Sequence, residues 1–171
     1  MEVNYREKTE EDNEIINKII RGWGSDIIVS RGQKYTAKNT NGILAFCNNN
    51  VVGICLYNIV NNNCEIVLLE VFEKNKGIGT ELIKTIKEIS INKNCKRIWV
   101  VTSNDNIDAL RFYQKCGFIM ANIYINSFDK LRKIKPEIPL IGNYNIPIRD
   151  EIELEIIINN KKNNGVRGHF A

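Results

Sequence analysis

Between residues 43 and 102 the hydrophobic pattern changes period twice, which limits the folds open to this chain. Three apolar runs, 43–47, 51–59 and 64–72, are separated by the triplets Asn48-Asn49-Asn50 and Asn61-Asn62-Asn63. Short runs broken by turn-forming residues predict an antiparallel meander of three strands. The period then lengthens. Residues 79–91 carry Leu82, Ile83, Ile86 and Ile89 on one helical face and Lys84, Lys87 and Glu88 on the other. Residues 97–102 return to a buried-strand pattern. A helix between two strands permits their parallel pairing, so the meander should continue into a mixed sheet.

The join from strand to helix reads Lys74-Asn75-Lys76-Gly77-Ile78-Gly79. The first turn of a helix leaves backbone N–H groups unpaired, and the helix dipole favours an anion there. Glycines let a phosphate approach the backbone, and Lys74 and Lys76 add charge. A Walker loop is excluded, because no Gly-Lys-Ser/Thr follows at the required spacing. A dinucleotide fingerprint is excluded because position 82, where a third glycine belongs, is Leu. The turn by itself leaves a phosphate site and a purely structural bend both open.

The flanks complete one domain, residues 1–158. A first strand is expected near 3–5, then a helix over 10–21 with Thr9 as N-cap and Ile15, Ile16, Ile19 and Ile20 on one face. Gly22-Trp23-Gly24-Ser25 ends it, and residues 27–41 match no clear pattern. Ser103-Asn104-Asp105 supplies N-caps for a helix over 106–116, closed by Gly117. A strand follows over 118–125. Residues 128–150 hold Pro136, Pro139 and Pro147 and read as a long loop with a short helix near 129–133. Residues 151–158 alternate acid and apolar as a last strand, and 159–171 form a polar tail.

Net charge is +4, too weak for a nucleic-acid binder, so no polyanionic partner is expected. The five cysteines are odd in number and form no Cys-x-x-Cys pair, so they read as reduced thiols of a cytoplasmic protein. The single histidine, His169, lies in the tail, and no metal site is expected. The charged N-terminus reads as no signal peptide, and no apolar run approaches the ~18 residues of a membrane helix.

A second motif lies about thirty residues after the glycine turn: Asn106-x-x-Ala109-x-x-x-Tyr113-x-x-x-Gly117-Phe118. Together, in this order, the two segments resemble the acetyl-CoA site of the GNAT N-acetyltransferase superfamily. Every fixed position of its Asn-x-x-Ala-x-x-x-Tyr-x-x-x-Gly-Phe block is matched. The Arg/Gln-x-x-Gly-x-Gly/Ala block is matched at Gly77 and Gly79 but has Lys74 at its first position, which lacks the planar fork of Arg. The resemblance covers roughly residues 3–125 and the strand near 151–158. Residues 133–150 are similar to a bacterial subgroup of the superfamily.

The resemblance implies an α/β (α+β) fold: a mixed, mostly antiparallel twisted sheet flanked by helices, with a parallel strand pair splayed to admit the pantetheine arm. It implies acetyl-CoA as co-substrate, held by Leu69, Val71, Lys74, Asn75, Lys76, Gly77, Ile78, Gly79, Thr80, Asn106, Ala109 and Tyr113. It implies direct attack by a primary amine of a small molecule or peptide, with Tyr113 donating to the leaving sulfur. Glu70, an acid interrupting the apolar run that begins at Ile66, is the candidate base. The acceptor is expected between residues 23–26 and the 128–149 segment, where Arg132, Lys133, Lys135 and Arg149 are candidates for an anionic group. A homodimer is compatible with this reading. The alternative is a non-catalytic acyl-CoA-binding module of the same fold.

Overall fold

The computed structural model describes residues 2–158. The tail 159–171, with His169, lies outside the described residues. Nine strands and four α-helices follow in the order β1 (Asn4–Glu7), α1 (Asn13–Arg21), β2 (Ile28–Ser30), β3 (Gln33–Tyr35), β4 (Asn41–Cys47), β5 (Asn50–Val60), β6 (Asn63–Val71), α2 (Ile78–Asn92), β7 (Arg97–Ser103), α3 (Ile107–Lys115), β8 (Ile119–Tyr124), α4 (Ser127–Ile134) and β9 (Glu151–Ile157).

Seven strands form one sheet in the order β1-β4-β5-β6-β7-β9-β8. The meander is present, and its hairpins turn where the asparagines stand. Asn48 and Asn49 have φ of 49° and 65°, and Asn61 and Asn62 have φ of 50° and 59°. Two consecutive left-handed residues make the tight turn that suits strand twist, and Asn tolerates that conformation. All pairings in the large sheet are antiparallel except β6–β7. That parallel pairing runs only from Asn63↔Arg97 to Ile66↔Val100. Beyond Ile66 the two strands part, leaving the β7-facing edge of β6 without a strand partner.

A bulge sets which way the end of β6 faces. Leu56 pairs with Leu68 and Tyr57 with Ile66, so Val67 is an extra residue. Cys64 and Ile66 pack with Leu82, Ile83 and Ile86 of α2, whereas Val67 and Leu68 pack with Ile16 and Ile20 of α1. Leu69 and Val71 return to the α2 layer, so Glu70 between them points to the α1 side. Without the extra residue Glu70 would share the face of Cys64 and Ile66.

Several boundaries differ from the sequence reading for physical reasons. The first helix opens as a 3-10 turn, Glu10–Asp12, in which Asp12 accepts from the Thr9 N–H at 2.8 Å and from both terminal nitrogens of Arg6. Residues 28–35 form the β2–β3 hairpin, a second, two-stranded sheet whose Arg31-Gly32 turn has φ of 47° and 78°. Ser103-Asn104-Asp105 does not cap α3. Asn106 does, accepting from the Ala109 N–H at 3.2 Å. Asn104 and Asp105 instead hold the segment before β9. The Arg149 and Asp150 N–H groups donate to Asn104 Oδ1, and Asn143 donates twice to Asp105 Oδ2. Gly117, at φ 91°, follows the α3 C-cap Cys116. No described helix is long and apolar enough to cross a membrane.

Candidate active site

The splay between β6 and β7 opens two cavities that meet beside α3. The larger, about 580 Å³, is lined by residues 73–80, Val71 and the outward face of α3. Here the glycine turn has the geometry its sequence requires. Gly77 is the N-cap of α2 at φ 76°, and no side chain caps the helix. Glu81 N–H is the first to close a helical bond, to Gly77 O, so the N–H groups of Ile78, Gly79 and Thr80 have no intrahelical acceptor. A Cβ on Gly79 would stand 3.1 Å from Phe112 and 3.5 Å from Val71, which explains why the bare backbone is needed there. Lys74 and Lys76 line the same cavity, as do Arg111 and Lys115.

Arg111 and Lys115 were not singled out from the sequence. Their spacing of four residues on the exposed face of α3 was the available signal.

The second cavity, about 320 Å³, lies on the other side of the splay, against β7, the β2–β3 hairpin and α4. Its lining includes Trp23, Ile28, Phe128, Leu131, Lys135 and Glu151. Leu69, Asn106, Ala109 and Tyr113 line both cavities. Of the residues expected to bind the co-substrate, all twelve line the larger cavity, and these four stand where it meets the smaller one.

Tyr113 is 5% exposed and packed edge-on against Phe112 and Phe118, with centroid separations of 5.4 and 5.3 Å. Burial, reinforced by Cys55 and Cys116, pushes its phenol pKa far above the ordinary value, so the hydroxyl stays protonated. Glu70 lines neither cavity. Its carboxyl stands beside Trp23, which is on the rim of the smaller one, and its Oε2 has no hydrogen-bond partner. Burial raises its pKa, with Trp23 acting in the opposite sense.

The four basic residues of the 128–149 segment separate sharply. Arg132 is consumed by the carbonyls of Pro139 and Ile148, at 2.8 and 2.7 Å, and of Ile138. Arg149 is forked onto Asp150, and Lys133 is exposed. Lys135 alone is buried and lines the cavity. Asp26 is exposed and paired with Arg21.

The sequence had offered no reason to single out Glu65, Glu151 and Glu153, which are buried on the same face of the sheet. Glu65 accepts from Ser30 and Tyr35, both at 2.6 Å, and Glu151 from Arg31, fixing the hairpin as one wall of the smaller cavity.

Comparisons with known proteins place the chain in a family and its fold among solved structures. The chain is 40% identical over 133 residues to the uncharacterised protein YxbD of Bacillus subtilis (strain 168), covering 77% of this chain and 84% of that one. Among solved structures, an IAA acetyltransferase from Bacillus cereus ATCC 14579 superposes with a TM-score of 0.70 at 21% identity, over 92% of this chain and all of that one. A GNAT family acetyltransferase from Elizabethkingia anophelis with acetyl-CoA bound gives 0.68 at 22% identity, over 91% and 98%. Residues 9–118 match the acetyltransferase (GNAT) family, and the chain belongs to that family.

Proposed function

We propose that the protein is an acetyl-CoA-dependent N-acetyltransferase that moves the acetyl group to a primary amine of a small molecule or peptide within a ternary complex. The observation that carries this reading is the meeting of the two cavities at Leu69, Asn106, Ala109 and Tyr113. One cavity has the free N–H groups and cations that fit a diphosphate, and the other has an apolar wall that fits an acceptor.

Acetyl-CoA is the donor. The N–H groups of residues 78–80 and the side chains of Lys74 and Lys76 receive its diphosphate. The unpaired edge of β6 beyond Ile66 offers backbone groups to its pantetheine arm and to the thioester carbonyl, which gains electrophilicity from an N–H donor. Asn106, already capping α3 through Oδ1, keeps its amide N–H₂ free to donate.

Two proton transfers remain. An alkylammonium has a pKa near ~10.4 and must lose a proton before it attacks. Glu70 is assigned that role, acting through water at the Trp23 rim, since its carboxyl does not itself line the cavity. Its raised pKa makes it a better acceptor than an ordinary carboxylate. The departing sulfur takes a hydrogen bond or a proton from Tyr113, whose phenol is kept neutral by burial.

The reading is tested by calorimetric titration with acetyl-CoA of the wild type and of Gly79→Glu, followed by an assay of amine-dependent CoA release. Saturable binding by the wild type alone, with CoA release that requires amine, supports it. Binding without release for any amine indicates the non-catalytic module instead. No binding by folded wild type removes both.

A further inference from the structure

We infer that the acceptor amine carries a carboxylate, and that Lys135 is the residue that receives it. The inference rests on the acetyl-transfer reading above and names the substrate class that the smaller cavity selects.

Lys135 is the C-cap of α4, and its backbone N–H is fixed to Leu131 O at 2.8 Å. The residue is only 7% exposed and lines the cavity. The one hydrogen bond of its ammonium goes to a neutral acceptor, Ile27 O, at 3.1 Å. No carboxylate among the described residues stands within ion-pair distance of it. An ammonium has three donors, so two remain for a ligand. Burying a cation against one carbonyl is costly unless something else compensates it.

The other charges near the cavity do not supply that compensation. Glu151 also lines the wall, but Arg31 is bonded to it at 2.9 Å, so this pair brings no net charge. Burial lowers the Lys135 pKa, and Glu137, which is exposed, opposes this only from a distance. Arg132 does not line the cavity; its guanidinium donates to backbone carbonyls and stands 4.0 Å from Asp129. Within the lining, Lys135 is therefore the charged group without a charged partner, set among Trp23, Ile28, Phe128, Leu131 and Ile138, while Glu70 stands outside the lining beside Trp23. A single positive charge matches a carboxylate, whereas a phosphate dianion would leave the pocket negative. The apolar remainder of the wall suits a hydrocarbon or aromatic body between carboxylate and amine.

Lys135 thus acts as a specificity residue, reading the end of the acceptor that does not react. The test uses pairs of amines differing only at that end: apolar α-amino acids and ω-amino carboxylates, each beside its primary amide, with saturating acetyl-CoA. Wild type is expected to favour the acids in kcat/KM by about tenfold or more, with the difference in KM. Lys135→Met should abolish the acid preference, bringing kcat/KM for each acid to that of its amide, and Lys135→Arg should restore part of it. Equal use of acids and amides by the wild type, or an acid preference that survives in Lys135→Met, overturns the inference. A parallel measurement needs no turnover: calorimetry of N-acetylated amino acids and their amides against the CoA-loaded protein. Acid-selective binding lost in Lys135→Met supports the inference even if acetyl transfer fails, and non-selective binding or none overturns it. Loss of acetyl-CoA binding itself would mark failure of the acetyl-transfer reading instead.

Discussion

Tyr113 is held between Phe112 and Phe118 at 5% exposure, where a phenolate would lack both water and a cation. Its hydroxyl can act only as a neutral donor. Tyr113→Phe should therefore lower kcat by about 100-fold, the ordinary scale of one positioned proton donor, with acetyl-CoA affinity unchanged. Stopped or steady-state assays of CoA release check this, and full turnover by the variant removes Tyr113 from the chemistry. Glu70 makes the opposite kind of prediction. Its folded pKa is raised, so its charged form is disfavoured in the fold. The associated stability is present below the unfolded pKa and is lost as pH rises through the folded value. Glu70→Gln should then melt higher than wild type near about pH 7, converge with it in acid, and lose the acidic limb of the rate profile. A variant less stable than wild type at neutral pH would mean that the carboxylate has a structural partner.

At the scale of elements, what was legible depended on how local the determinant is. The Gly77–Gly79 turn could be read because φ 76° at Gly77 is a local requirement that disfavours most side chains. Asn106, Ala109 and Tyr113 could be read because, with Gly117 and Phe118, they match the family's Asn-x-x-Ala-x-x-x-Tyr-x-x-x-Gly-Phe block. The β2–β3 hairpin could not. Its strands are three residues each, and what holds them is Glu65, accepting from Ser30 and Tyr35 across 35 and 30 positions of sequence. Asn104 and Asp105 misled for a similar reason. Their residue types suit a helix cap, but their partners lie near residues 143–150. Gly142 shows how tight that junction is, since a Cβ there would stand 2.1 Å from Asp105 Oδ2. Gly142→Ala should cost about 1–3 kcal/mol and lower Tm by several degrees. It should also raise KM for the acceptor, because the 138–148 segment contributes Ile138, Pro139 and Ile148 to the smaller cavity. Thermal unfolding and acceptor kinetics check the two effects, and an unchanged Tm would contradict the crowding at Asp105.

For the whole molecule, the sheet's one parallel pair and its early separation could be anticipated, but the ionic ties around the sheet could not. Among the described residues, three carboxyls have lowered pKa values. Asp12 is lowered chiefly by Arg6, which ties β1 to the start of α1, and Asp150 chiefly by Arg149. Glu153 is opposed by burial but lowered overall by Tyr124, Arg97 and Asn122, which join β7, β8 and β9. Glu65 and Glu70 are raised by burial. The signs oppose each other. The raised groups become less unfavourable as pH falls from their folded values to the unfolded pKa, whereas the lowered groups lose their contribution only below the unfolded pKa. The cost of the raised groups is relieved first as pH falls, and the lowered groups then lose their contribution below the unfolded carboxylate value, so Tm should fall as pH drops below about 4. Asp12→Asn isolates one tie. It should destabilise the protein by about 1–3 kcal/mol at neutral pH, the scale of hydrogen bonds to a charged group. Its deficit should then shrink toward zero as Asp12 protonates in the wild type. Thermal melts of both proteins across that range decide the matter: a deficit that stays constant with pH would mean that Asp12 acts through packing of the Thr9–Asn13 turn and not through its charge on Arg6.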